Sequence, residues 1–98
     1  MSVRLLYIVT YDVRDDRRLR RVFRLMRGYG DHMQYSVFRC ELSDKERAEL
    51  MIKLADLLKP SEDQALLFPL GPAGGARERG IYHVGLPYEP SDRSATVV

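Results

Sequence analysis

Along residues 3–11, Val-Arg-Leu-Leu-Tyr-Ile-Val-Thr-Tyr, apolar positions run almost without interruption and are largely β-branched or aromatic. That pattern predicts a central strand, with Asp12 at its C-terminal end. The period then changes to that of a helix. Leu19, Val22, Phe23, Met26 and Tyr29 share one face, so a helix is expected to about Tyr29. Asp15 or Asp16 supplies its N-cap and complements its dipole. Gly28 and Gly30 suit its stop. Residues 32–42 read as strand, either one long bent strand or two short ones divided near Tyr35-Ser36. Alternation is visible from Ser36 onward. Ser43-Asp44-Lys45-Glu46 is a capping box. The helix behind it carries Leu50, Met51, Leu54, Leu57 and Leu58 on one face and ends before Pro60. Gln64 to Leu70 is a further strand, with Pro69 marking its end or an edge. Residues 71–80 read as a flexible loop, and Ile81 to Leu86 as a last short strand.

Two amphipathic helices need one sheet face to cover. The element order therefore predicts an α+β fold, a ferredoxin-like βαββαβ sandwich with an extra C-terminal strand. It occupies residues 1–86, with 87–98 as an extended or disordered tail. Both faces of the first strand are apolar, and the helices cover only one. A second copy is the simplest cover for the other, which predicts a symmetric homodimer.

Composition changes this picture in one respect. The net charge of +2 over 98 residues is bland, but residues 1–30 hold eight arginines against three aspartates, while residues 31–98 net −3. Thirteen of the sixteen basic residues are arginine, whose planar fork suits phosphate. A basic first third points to a localised anionic partner; arginine enrichment across a whole genome would leave the same composition. No apolar run approaches the roughly 18 residues of a membrane span. Leu5 to Val9 is too short for a signal peptide, so the default expectation is a cytoplasmic protein without membrane association. The lone Cys40 excludes an intramolecular disulfide.

Asp12 is the sharpest candidate for chemistry. A carboxylate at a strand end beside a basic helix can hold Mg²⁺, or Mn²⁺ in its place, against phosphate. The same carboxylate would also serve simply to end a strand and open a turn. One per chain makes a thin site, and two brought together across a dimer axis make a fuller one. Arg17, Arg20, Arg21, Arg24 and Arg27 cluster opposite the apolar stripe, either as a phosphate-binding row or as a solvated face. Tyr11, Tyr35 and Phe38 suit base stacking or packing, and Ser36 a phosphate or a strand break. His32 and His83 lack metal-ligand spacing, Cys40 lacks an activating neighbour, and the Gly-rich loop lacks a P-loop ending.

Taken in order, Tyr11-Asp12-Val13, Asp15-Asp16-Arg17-Arg18, Gly28-Tyr29-Gly30, Gln34-Tyr35-Ser36-Val37-Phe38 and Cys40-Glu41-Leu42 resemble the second CRISPR-associated core protein family, the small partner of the CRISPR integrase. The match covers roughly residues 5–70, and the pair of Tyr-Asp-Val and Gln-Tyr-Ser-Val-Phe segments is what makes it specific. The resemblance implies a ferredoxin-like homodimer in which Asp12 is the metal-binding and catalytic aspartate, facing its symmetry mate. It implies a metal-dependent endonuclease acting on single-stranded RNA or double-stranded DNA. It implies nucleic-acid contacts at Arg17, Arg18, Arg20, Arg21 and Arg24, with Tyr11, Ser36 and Phe38 positioning the substrate. It also implies a second role, a non-catalytic dimeric scaffold that bridges integrase dimers and supports spacer DNA. A binding domain of the same fold for some small ligand or protein is a third reading.

Overall fold

The computed structural model describes residues 3–76 and 81–89. β1 spans Leu5–Asp12, α1 Asp16–Arg27, β2 Gly30–Gln34, β3 Val37–Leu42, α2 Asp44–Leu57, β4 Gln64–Pro72, and a single turn, α3, Ala73–Ala76. The four strands form an antiparallel sheet in the order β2-β3-β1-β4. This is the ferredoxin-like arrangement that the pattern predicts. The segment 32–42 is two strands, joined by a two-residue turn at Tyr35-Ser36.

Local chemistry explains where the elements begin and end. Asp15 caps α1, its carboxylate accepting the Arg18 N–H at 2.9 Å. The capping box at Ser43 forms in both directions, Ser43 Oγ to the Glu46 N–H and Glu46 Oε1 to the Ser43 N–H. α1 stops at Arg27, two residues before Tyr29. Gly30 has a packing role instead: a Cβ there would collide with the Arg39 carbonyl and Cys40 Sγ, so only glycine lets β2 close on β3.

The core lies between the helices and one sheet face. Tyr7, Val9 and Tyr11 of β1 and Phe38, Cys40 and Leu42 of β3 meet Val22 and Met26 of α1 and Leu50 and Leu54 of α2. Burying each of the larger apolar side chains stabilises the fold by about 1.5–3 kcal/mol. Leu19, Phe23 and Tyr29 flank this cluster half-buried. Met51 departs from the predicted face. It is exposed, with Sδ accepting from Arg47 Nη1 at 3.2 Å, because the stripe of α2 that meets the sheet is narrow. The residues that alternate with the core positions, Ile8, Thr10 and Asp12 of β1 and their partners Phe68, Leu66 and Gln64 of β4, point to the opposite face. Within the described residues no helix covers Leu66 and Phe68, which remain 42% and 46% exposed.

The expected extra strand at Ile81–Leu86 does not form. Those residues have no strand structure, and Tyr82, Val84 and Leu86 are almost fully exposed. A strand exists only when its backbone is paired, and no strand among the described residues pairs with this segment. Gly85, at φ 86, turns the segment out of an extended path. The expected 71–80 loop is partly ordered: β4 runs on to Pro72, α3 follows, and 77–80 lie outside the described residues, as do 90–98 of the expected tail.

Candidate metal and nucleic-acid site

β1 delivers Asp12 to one end of the sheet, on the face away from both helices. Its strand neighbours hold it there. Asp12 pairs with Gln64, Tyr11 with Ala65, and the Tyr11 N–H donates to the Ser36 carbonyl at 3.1 Å. The Asp12 side chain is exposed and accepts no hydrogen bond from the described residues. Its oxygens are therefore available to a ligand from outside the chain. Among the described residues no group of three or more His, Cys, Asp or Glu side chains is placed to hold a metal. This donor set fits Mg²⁺, which takes one or two protein carboxylates and completes its shell with water and phosphate.

A second carboxylate at the same corner does the opposite, and sequence reasoning missed it. Asp63, one residue before Gln64, has a side chain with no accessible surface. Oδ1 accepts the Arg14 N–H at 3.0 Å, and Oδ2 accepts the Lys59 N–H at 2.8 Å. Arg18 forks onto both oxygens, Nε to Oδ2 at 2.8 Å and Nη2 to Oδ1 at 3.3 Å. The Arg18 guanidinium, followed by the backbone donors of Arg14 and Lys59, holds this carboxyl far below the usual range. Arg18 also reaches Glu62 at 3.1 Å, and Glu62 pairs with Lys59 at the same distance. The cluster ties the turn after Asp12 to the turn before β4. The available signal was the turn-forming Lys-Pro-Ser-Glu-Asp composition of residues 59–63. Nothing in that composition named a partner 45 residues away.

Arg18 is thus tied to a turn far away in the sequence. Arg17, Arg20, Arg21 and Arg24 are exposed, and none forms a salt bridge among the described residues. Arg17 lies close enough to Asp15 to lower its carboxyl pKa, after the larger effect of the Arg18 N–H. The row follows the solvent side of α1, so the sheet separates most of it from the Asp12 face.

The structure places Tyr11 and Phe38 in the core and Ser36 half-buried in the β2–β3 turn. Phe38 is fully buried, 6.2 Å from the Tyr11 ring and 5.5 Å from Phe23. A ring with no exposed surface offers nothing to a base. Burial pushes the Tyr11 phenol up to about 12, offset in part by its hydrogen bond with Ser36. That hydrogen bond and the Ser36 carbonyl bind the turn to β1. Tyr35 alone of the three aromatic candidates is open to solvent. His83 is exposed, whereas His32 packs against Phe23 and Phe38 at 4.9 and 5.0 Å. A polar cavity of about 670 Å³ lies toward the opposite end of β1, lined by Arg4, Asp31, Arg39, Glu46 and Tyr88 among others. It gathers both signs of charge and includes none of the candidate residues.

Comparison with known proteins bears on the family and the fold. The family model for CRISPR associated protein Cas2 matches residues 5–75. A protein of Geobacter sulfurreducens named CRISPR-associated endoribonuclease Cas2 is 36% identical over 93 residues, covering 95% of this chain and 97% of that one. One of Thermodesulfovibrio yellowstonii, named CRISPR-associated endoribonuclease Cas2 2, is 44% identical over 68 residues, covering 69% and 75%. Among solved structures, a hypothetical protein from Thermus thermophilus superposes with a TM-score of 0.74 at 27% identity, covering 90% of this chain and 99% of that one. Streptococcus pyogenes Cas2 at pH 6.5 gives 0.69 at 28% identity, covering 82% and 99%.

Proposed function

This chain belongs to the CRISPR-associated protein Cas2 family, and we propose that it is a divalent-metal-dependent endonuclease of CRISPR adaptation, with RNA as the first substrate to test. The observation that carries the reading is Asp12: an exposed carboxylate, without a hydrogen-bond partner among the described residues, on the sheet face opposite α1 and α2. The names of the relatives, endoribonucleases, support the reaction class.

The proposed working unit is a homodimer. Leu66 and Phe68 make the bare face apolar, and a second copy laid on it removes that surface from water and can bring two Asp12 side chains together. Asp12 from each copy would hold Mg²⁺ or Mn²⁺, which supplies charge for the phosphate and lowers the pKa of a bound water. Asp63 and Arg18 keep the turn after Asp12 in place. Arg14 and Arg17, following Asp12 in the chain, are the cations best placed by sequence to meet the phosphate backbone.

A second reading has its own observation. Arg20, Arg21 and Arg24 form a row without salt bridges among the described residues, on the far side of α1 from the Asp12 face. A row so placed suits a duplex lying along the outside of the dimer, as a scaffold between integrase dimers would require. The two readings use different surfaces and are compatible.

The test is cleavage of RNA and DNA by wild type and Asp12→Asn, with Mg²⁺, with Mn²⁺ and with EDTA. Wild type should cut only with a divalent ion, and the variant at least about 100-fold more slowly. Equal rates for the two proteins would overturn the nuclease reading.

A further inference from the structure

We propose that Tyr35 is a stacking platform for an unpaired nucleobase beside the Asp12 site. The proposal deepens the nuclease reading and depends on it. It starts from a conflict between residue type and backbone. Gln34-Tyr35-Ser36-Val37 is a two-residue hairpin connection, and Tyr35 is the first of its central residues. Its φ is 42, the only positive φ at a non-glycine among the described residues. Hairpins that need positive φ at this position use glycine or asparagine. An aromatic L-residue is strained there. An outlier of this kind, in a turn held in place on both sides, is where a functional role is sought.

The turn is held from two directions. On one side, His32 Nε2 meets the Tyr35 carbonyl at 2.6 Å, and the imidazole is wedged between Phe23 and Phe38. On the other, the Ser36 carbonyl takes the Tyr11 N–H. The backbone of Tyr35 is therefore anchored while its ring is 89% exposed. A rigid ring on a fixed backbone loses little freedom when a base stacks on it, so the stacking energy is retained.

Location supplies the ligand class. The bond from Tyr11 to Ser36 puts the turn at the sheet end where β1 delivers Asp12, one residue beyond Tyr11. A strand whose phosphate meets Asp12 would pass its neighbouring bases beside Tyr35. Only an unpaired base exposes a face for stacking, which selects single-stranded RNA or DNA over duplex.

The test uses the full chain carrying Asp12→Asn, so that bound strands are not cut. Binding is followed by fluorescence with oligonucleotides of about 12 nucleotides bearing 2-aminopurine. RNA and DNA single strands and a duplex of the same sequence form separate arms. Tyr35→Gly removes the ring and relieves the backbone, so its melting temperature should match or exceed that of the parent. Its single-strand affinity should fall about 10-fold, with loss of 2-aminopurine quenching, and duplex affinity should stay within about twofold. Tyr35→Phe should bind like the parent. Unchanged single-strand affinity in Tyr35→Gly would overturn the proposal. So would an equal loss for single strand and duplex, or dissociation of a dimer seen by sedimentation. If the Tyr35-intact protein binds no nucleic acid in any arm, both this proposal and the nuclease reading fall. If it binds and Tyr35→Gly binds equally well, only the stacking role falls.

Discussion

Asp12 and Asp63 stand at the same end of the sheet, and Asp12 pairs with the residue that follows Asp63. They have the same side chain and opposite environments. Asp63 is closed to solvent, with both oxygens occupied by Arg14, Arg18 and Lys59. Asp12 is exposed and accepts nothing from the described residues. Asp63 spends its charge on holding two turns together, while the Asp12 carboxylate stays open to solvent. The arginines of α1 divide in the same way, Arg18 committed to Asp63 and Glu62, Arg20 and Arg21 forming no salt bridge among the described residues. At this corner the same kind of charge is either tied into the fold or left to solvent, according to which donors the tertiary structure brings within reach.

The largest expected effect separates the two aspartates by activity. Asp12→Asn should lose at least about 100-fold in cleavage rate. Its melting temperature should stay within about 2 °C of wild type, because an exposed side chain away from caps and networks contributes little to stability. A variant that lost both together would show Asp12 to be structural.

The next effect is the converse. Asp63→Asn leaves Arg18 facing a neutral amide in a buried site, and the midpoint of thermal unfolding should fall by on the order of 10 °C. The pH dependence has a definite sign. The folded-state pKa of Asp63 lies below its unfolded value, so its contribution is fully present above about pH 4 and is lost as pH falls through the acid range. Acid titration of stability should therefore be shallower in Asp63→Asn. Identical acid limbs would mean that the cluster stores no such stability.

A smaller contrast lies among the arginines. Changing Arg17, Arg20 and Arg21 together to Ala should leave the fold intact and make the salt dependence of duplex binding less steep by about 2–3 in the slope of log K against log salt. Arg18→Ala should instead destabilise the fold. An unaltered slope in the triple variant would remove the row from the binding surface.

The smallest effect is at alkaline pH. The Tyr11 phenol titrates near 12 in the fold against about 10 in the unfolded chain, so its contribution is present below about pH 10 and is lost as pH rises toward 12. Tyr11→Phe should flatten this alkaline limb in denaturant titrations across that range.

Much of the architecture was legible in the chain itself. The continuous apolar run of β1, the 3.6-residue stripe of α1 and the capping box at Ser43 are local patterns, each deciding its element with little help from elsewhere. The place of Asp12 was legible for the same reason: a lone carboxylate where a strand gives way to a basic helix. The arginine row was also visible, but not the difference between Arg18 and its neighbours. That difference depends on Asp63, which reaches α1 only when β4 pairs with β1.

Tertiary structure alone decided the rest. Phe38 and Tyr11 read as stacking candidates or core residues until the helices were laid on their face, which closed both rings off. Ile81–Leu86 has the composition of a strand but no partner strand among the described residues, and strand structure requires one. Met51 shares its neighbours' apolar character but lies at the margin of a contact narrower than the apolar stripe. Tyr35 became distinctive only through a backbone angle and a histidine clamp. Periodicity and capping are properties of neighbours in sequence, and the chain carries them openly. Burial, strand pairing and the satisfaction of a charge depend on residues far apart in sequence, and only the fold brings those together.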